Sequence, residues 1–331
     1  VDLNNKNIII SRTDSIGDVI LTLPLCAWLK KYCPGVHITF LGKGYTKPII
    51  AAYQSVDDVL DWNDFSSLSK KDKLDAFKAL NADAIVHVFP NKKIAVLAKK
   101  ARIPMRIGTS HRIHHFWTCN HRLNFTRRKS NLHEAQLNHE LLRPFGLNEL
   151  PSLDALKRTT EKFQVKEVDL PLAFKDLTNF TILHPKSQGS AKEWPIEKYI
   201  ELANQLASIG KTVVFTGTET EGSQFRNAIP NSKSVLDSTG KLSLEQLMVL
   251  IKNASNIVAC STGPLHIAAV LGINTVGLYA PKRPIHPGRW SALGKSVNTI
   301  VFNENCVRCA NSKDCSCIAE IKVERVLKSL I

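Results

Sequence analysis

The chain has 331 residues, with 44 Lys+Arg against 29 Asp+Glu and a formal net charge of +15. Its 44% hydrophobic and 22% charged content is that of a globular protein, and a single core rarely grows past about 250–300 residues, so the length predicts two domains. No apolar run approaches the ~18 residues of a membrane span and no signal-peptide pattern opens the sequence, which excludes a polytopic membrane protein and leaves any polyanion open as a partner.

In chain order, "NIIISR" (Asn7–Arg12) predicts a strand and "DVILTLPLCAWLKKY" (Asp18–Tyr32) a helix stopped at Pro34-Gly35. "HITFLG" and "DAIVHVF" predict further strands and "KKIAVLAKKA" a helix, whereas Arg106–Asn131 has no clear period and reads as long loops. The stretch Leu147–Leu172, with Pro151 and Pro171, reads as the domain link. "FTILHP", "KTVVFTG", "SNIVACSTG" and "INTVGLYAP" then predict strands alternating with helices in "WPIEKYIELANQLASIG", "LSLEQLMVLIKNA" and "PLHIAAVLG", and the tail "IAEIKVERVLKSLI" a final amphipathic helix. Such alternation predicts parallel βαβ units in both halves, hence two α/β domains facing across a cleft at the carboxyl ends of their strands.

The charge is uneven. Ala84–His133 is fifty residues without one Asp or Glu, holding eleven Lys/Arg and six His. A field of one sign this long favours an anionic substrate or membrane surface, although a basic face balanced elsewhere in the fold reads equally simply. No helix-turn-helix, zinc-finger or RRM signature accompanies it, so nucleic acid is not expected.

Three polar loops between a strand and a helix carry candidate chemistry. In "SRTDSIGDVILTLP" (Ser11–Pro24), Asp18 is a general-base candidate or simply a helix-start charge, and Asp14 competes with it; the pattern is not a dinucleotide fingerprint. In "HPKSQGSAKEWP" (His184–Pro195), Ser187, Gly189, Ser190 and Lys192 suit a phosphate or diphosphate without forming a P-loop, and Trp194 reads as a packing residue. In "STGPLHIAA" (Ser261–Ala269), Ser261 and Thr262 precede a helix whose free N–H groups make an anion site, with His266 one turn in as ligand or structural residue. Finally, Cys306, Cys309, Cys315 and Cys317 in "CVRCANSKDCSC" have the numbers for a tetrahedral Zn²⁺ site, for reduced packing cysteines or for disulfides.

Taken together, "RTDSIGDVILTLP", "HPKSQGSAKEWP", "GTETEG", "STGPLHIAAVLG" and "PKRPIHPGRW" resemble the bacterial lipopolysaccharide heptosyltransferases, glycosyltransferase family 9, over nearly the whole chain. The resemblance implies a GT-B fold of two Rossmann-like domains: an acceptor-binding domain over residues 1–165, a nucleotide-sugar-binding domain over 166–315, and a C-terminal helix over 316–331 that crosses back onto the first. It implies inverting, metal-independent transfer of heptose from ADP-heptose to a lipid A–Kdo inner-core acceptor at the cytoplasmic face of the inner membrane. Asp18 would be the catalytic base. Lys192, helped by Ser190, would neutralise the departing ADP, and Thr262, Gly263 and His266 would meet the diphosphate. Glu221, four residues after Gly217, would hold the nucleoside, with an exposed helix-start charge as its other reading. Arg127, Arg128 and Lys129 would meet acceptor phosphates or carboxylates, with peripheral membrane contact by charge and amphipathic surface.

One departure concerns the donor. Ser261 stands where several relatives carry Asp, so the donor sugar is less closely implied than the reaction. Alternative readings are a GT-B transferase with another donor or surface-glycan acceptor, a nucleotide-sugar epimerase, and a non-catalytic anion- or membrane-surface module.

Overall fold

The computed structural model describes residues 4–127, 130–311 and 315–331. The chain forms two compact units, Val1–Gln164 and Val165–Ile331. In the first, strands β1 (Asn7–Ser11), β2 (His37–Gly42), β3 (Asp58–Asp61), β4 (Ala84–His87), β5 (Met105–Thr109) and β6 (His121–Leu123) make an all-parallel sheet in the order β3-β2-β1-β4-β5-β6. The isoleucines Ile8, Ile9 and Ile10 are all buried, because helices cover both faces of a parallel sheet and leave no polar alternation to read. One core cluster joins Ile9, Leu41 and Ile85 to Ile94 and Leu97 of the Lys92–Lys100 helix.

The second unit repeats the plan. β7 (Phe180–His184), β8 (Thr212–Phe215), β9 (Val235–Asp237), β10 (Asn256–Cys260), β11 (Asn274–Tyr279) and β12 (Val297–Val301) are parallel and ordered β12-β11-β10-β7-β8-β9. Each unit is thus a Rossmann-like domain of six parallel strands flanked by helices. Each sheet changes direction once, between β1 and β4 and between β7 and β10, which is where ligands bind in open α/β sheets.

Several elements differ from the sequence expectation, each for a local reason. The expected Asp18–Tyr32 helix is two, Ile16–Ile20 and Leu23–Tyr32, with Pro24 in the first turn of the second. Proline has no N–H to continue a helix but fits a helix start. The aperiodic Arg106–Asn131 region holds β5, β6 and the short His115–Thr118 helix. β3, β9 and β12 were not anticipated either; these are short or edge strands without an apolar run. The residues around Leu153–Lys162 are helical and bonded into the first unit, through Tyr53 Oη to the Thr159 carbonyl (3.2 Å) and Gln54 N–H to the Lys162 carbonyl (3.0 Å). The tail is a 3-10 turn, Cys317–Glu320, and one short helix, Val323–Leu327, whose Val323 and Val326 join the second unit's core.

Backbone packing at the start of β12 limits one glycine. A Cβ on Gly294 would stand 2.2 Å from the carbonyl oxygen of Ala269 in the Gly263–Val270 helix, and main chain has little room to yield. Gly294→Ala should therefore cost about 1–3 kcal/mol in a urea titration; a loss under about 0.5 kcal/mol would show that this helix shifts freely.

Candidate active site

In the first unit the site is built on a buried cation. Arg12 leaves the end of β1 with its side chain 4% exposed. Its Nε donates to Asp14 Oδ1 at 2.7 Å, its Nη2 to Asp18 Oδ1, and its Nη1 reaches Glu134 Oε1 at 3.5 Å and Asn138 Oδ1 at 3.4 Å. Asp18 also accepts from Ser15 Oγ, so both of its oxygens are oriented. Asn138 ties this cluster to the main chain by donating to the Leu21 carbonyl at 3.0 Å.

Arg127 is the second cation, donating to Glu134 Oε1 and Asn138 Oδ1 at 3.0 Å each. Arg128 and Lys129, expected beside it, lie outside the described residues. Burial, with Asp18 adding to it, pushes Asp14 up to about 6 against the opposing pull of Arg12. The same burial opposes the charge on Arg12, and its three carboxylates keep it a cation.

At the neighbouring end of β4, His87 is fully buried beside Ser11, its register partner on β1. Neither ring nitrogen of His87 nor Ser11 Oγ has a hydrogen-bond partner among the described residues. Burial lowers His87 to about 3, so the switch point beside Arg12 holds uncharged, buried polar side chains.

In the second unit the loop after β7 is tied at its base by Glu193. Its carboxylate accepts from Ser187 N–H (2.8 Å), Ser187 Oγ (2.9 Å) and Lys186 Nζ (3.0 Å). Ser190 Oγ donates back to the Ser187 carbonyl at 2.8 Å, and Gly189 has φ +79°, the left-handed region that glycine enters without strain. Lys192 is half-buried and makes no ion pair among the described residues, so its charge is available to a ligand.

The turn after β10 leads to the Gly263–Val270 helix. Thr262 is its N-cap by position, yet its side chain makes no cap bond, and Thr262 Oγ1 is buried without a partner among the described residues. A buried hydroxyl without a partner beside unpaired helix N–H groups leaves polar donors at the strand end that an anion could meet. His266 is buried in the first turn of that helix. Ser261 Oγ lies 3.5 Å from the Trp290 carbonyl.

Glu221 is 5% exposed, not the exposed charge of its simpler reading. It closes a capping box, its Oε2 accepting from Thr218 N–H at 2.7 Å and Thr218 Oγ1 at 3.0 Å. Next to it His184, its Nδ1 3.0 Å from Thr216 Oγ1, is held below its ordinary pKa by burial, with Glu221 pulling the other way.

Two further features lie apart from these loops. Ile113, Phe116 and Trp117 are 76%, 58% and 49% exposed. Their i, i+3, i+4 spacing puts them on one face of a helical turn. Arg122 lies over the Phe116 ring at 5.4 Å, and Arg112, Lys92 and Lys93 are exposed. In the second unit, the sulfurs of Cys306, Cys309, Cys315 and Cys317 all lie within 4.8 Å of one another, close enough to coordinate a metal. All four are free thiols.

Comparison with known proteins decides the family. The model of "Glycosyltransferase family 9 (heptosyltransferase)" matches residues 75–317. The chain belongs to glycosyltransferase family 9. It is 23% identical to the lipopolysaccharide core heptosyltransferase OpsX of Haemophilus influenzae over 91% of this chain and 86% of that one. A family 9 glycosyltransferase from Veillonella parvula superposes with a TM-score of 0.78 at 20% identity, covering 99% and 97% of the two chains. E. coli heptosyltransferase WaaC with ADP does so at 0.73 and 19% identity, covering 97% and 98%. These likenesses show the GT-B fold. The family assignment makes the chain an inverting, heptosyltransferase-like glycosyltransferase.

For this family member, sequence reading singled out Asp18, Lys192 and Thr262 but passed over Arg12, Glu134 and Asn138. A signal was present: Arg12 precedes acids at +2 and +6, and Glu134 is the first acid after the fifty-residue basic stretch.

The raised pKa of Asp14 has a definite sign. Unfolded, it ionises near 3.8; folded, near 6. The folded state therefore holds the extra proton in between, and stability falls as pH rises through that window. Urea titrations from pH 4 to 7 should show wild type losing about 2–3 kcal/mol relative to Asp14→Asn. A constant difference would mean that Arg12 fully offsets the burial.

Proposed function

We propose that this glycosyltransferase moves heptose from ADP-heptose to a phosphorylated lipopolysaccharide inner-core acceptor, with Asp18 as general base. The observation that carries this reading is Asp18 held by the buried Arg12 and by Ser15 within the family motif. Each carboxylate oxygen has a second lone pair, so Asp18 can still accept the proton of an acceptor hydroxyl. As that proton moves to Asp18, the acceptor oxygen attacks the anomeric carbon and the bond from that carbon to the diphosphate oxygen breaks. The electron pair leaves with ADP, and attack opposite the departing group inverts the anomeric centre.

Negative charge grows on the diphosphate in that step, so the donor site needs cations and N–H donors aimed at it. Lys192 supplies the charge, Ser190 a hydroxyl, and Thr262 Oγ1 with the N–H groups of Gly263 and Leu265 the fixed donors. His266 lines that helix start. In this reading Glu221, already oriented by Thr218, offers its other oxygen to the ribose hydroxyls, and Ser261 faces the donor sugar. Arg127 and its neighbours Arg128 and Lys129 draw in the anionic acceptor. No metal takes part in the transfer, and the four-cysteine cluster holds a structural ion apart from it. The ADP bound to WaaC and the core-heptose activity named for OpsX support the donor and acceptor.

The acceptor's lipid places the enzyme at the cytoplasmic face of the inner membrane. No helix among the described residues is long and apolar enough to cross a bilayer. The support for surface contact is the turn carrying Ile113, Phe116 and Trp117, with Lys92, Lys93, Arg112 and Arg122 in or near it. Aromatic side chains favour the headgroup boundary and basic ones the anionic leaflet.

With ADP-heptose and a delipidated core acceptor, Asp18→Asn should keep donor binding and lose about 10²-fold or more in turnover. Lys192→Ala should lower turnover and donor affinity together. Wild-type transfer by the Asn variant, read by mass spectrometry, would end the assignment of the base. Replacing Ile113, Phe116 and Trp117 with Ser should weaken sedimentation with phosphatidylglycerol vesicles by about 10-fold while leaving transfer to the delipidated acceptor unchanged. Unaltered vesicle binding would remove this face from the membrane contact.

A further inference from the structure

The four cysteines stand outside the transfer chemistry. Cys306 precedes the Val307–Asn311 helix, which carries Cys309; Cys315 follows it, and Cys317 opens the 3-10 turn Cys317–Glu320. Cys309, Cys315 and Cys317 are 2%, 7% and 5% exposed. Sulfur–sulfur distances are 3.1 Å for Cys309–Cys315 and 3.6 Å for Cys306–Cys315, and no pair of the four exceeds 4.8 Å. A tetrahedron with Zn–S bonds of about 2.3 Å has sulfurs about 3.8 Å apart, within that range. Disulfides would instead require about 2.05 Å. The Cys317 N–H donates to Cys315 Sγ at 3.3 Å, the kind of outer bond that orients a thiolate ligand.

The turn that follows Cys317 receives side chains from the donor loop's far end. The Ile321 carbonyl accepts from Trp194 Nε1 at 3.0 Å and Lys198 Nζ at 2.8 Å, and Lys198 also donates to the Ala319 carbonyl at 2.5 Å. Trp194 is 1% exposed and stands edge-on to Tyr199. Cys309, Cys315, Cys317, Ile318 and Ile321 share one core cluster with Trp194 and Tyr199. Lys192 lies two residues before Trp194, and Glu193 between them ties the loop base to Ser187. The thiols, the Ile321 carbonyl and the loop ending at Lys192 are therefore joined by short, buried links.

We propose that Cys306, Cys309, Cys315 and Cys317 bind one tetrahedral Zn²⁺, which fixes the Cys317–Ile321 turn as the anchor for Trp194 and so positions the loop carrying Ser190 and Lys192. Trp194 is thus a positioning residue for donor binding. The metal site stands on the thiol geometry alone; the coupling also rests on the reading of that loop as the donor site.

The test uses the full chain without a metal-binding tag, purified under reducing conditions and assayed for zinc and iron together by mass spectrometry. One equivalent of zinc per chain is expected, falling below about 0.1 in Cys309→Ser/Cys315→Ser. One equivalent of iron would overturn the choice of ion, and less than about 0.1 equivalent of any metal in wild type would overturn the site. Since the double variant can fail to fold, Trp194→Phe tests the coupling: it keeps an aromatic ring, though a smaller one, and loses the Ile321 bond. It should keep its zinc and raise the donor KM about 3- to 10-fold, with kcat within about 2-fold of wild type. An unchanged donor KM would overturn the coupling. Zinc in a wild type that transfers no sugar would uphold the metal site and defeat the transfer reading instead.

Discussion

A guanidinium buried at the end of β1 organises the first unit's candidate site. Arg12 is almost wholly removed from solvent and faces three carboxylates, Asp14, Asp18 and Glu134, whose placement it dictates. Burying a cation is tolerated only when its charge is met, and removing one member of such a group leaves the others uncompensated at a cost of about 3–5 kcal/mol. Neutrality is approached from both ends: Arg127 shares Glu134, and Asp14 tends to take up a proton. Asp18 is left with both oxygens oriented, one by Arg12 and one by Ser15, so its geometry is fixed before any ligand arrives.

Each unit places its chemistry by the same topological rule. In a sheet ordered 3-2-1-4-5-6 the loops after the two central strands diverge and leave main-chain groups exposed at the strand ends. In the first unit those positions hold Arg12 and His87; in the second they hold the Ser187–Lys192 loop and Thr262. The two sites differ in charge. The first is rich in carboxylates matched to cations, which suits proton transfer. The second offers an ammonium with no ion pair among the described residues, hydroxyls and a helix start, a set richer in donors than the first.

Much of this was legible in the sequence because strand–loop–helix punctuation is local. The Ile8–Ile10 run, the polar loops after it and after Thr181–His184, and the turn at Ser261–Gly263 are all marked by residue type. Partnerships across the chain were not. Arg12 and Glu134 are 122 residues apart, and nothing in the local pattern of either reports the other. Glu221 shows the opposite problem: its capping box with Thr218 is a local signal, yet its burial depends on the β7 and β8 ends it packs against. β3, β6, β9 and β12 were missed because edge strands take their register from a neighbour, not from an apolar run of their own.

The acid-free stretch carries the largest share of the charge, and the fold divides it among different tasks. Arg106 is spent on structure, with Nε donating to the Thr118 carbonyl and its guanidinium closing the turn before β5. Arg127 is partly spent on Glu134 and Asn138, with about a quarter of its side chain still exposed. Lys92, Lys93 and Arg112 remain in solvent, near the exposed Phe116 and Trp117. Count alone therefore overstates the attraction available to a partner, because a cation already paired in a buried site adds little to the field outside. Lys92, Lys93 and Arg112, which make no ion pair among the described residues, stand beside an exposed apolar turn, so charge and apolar area are joined on one surface.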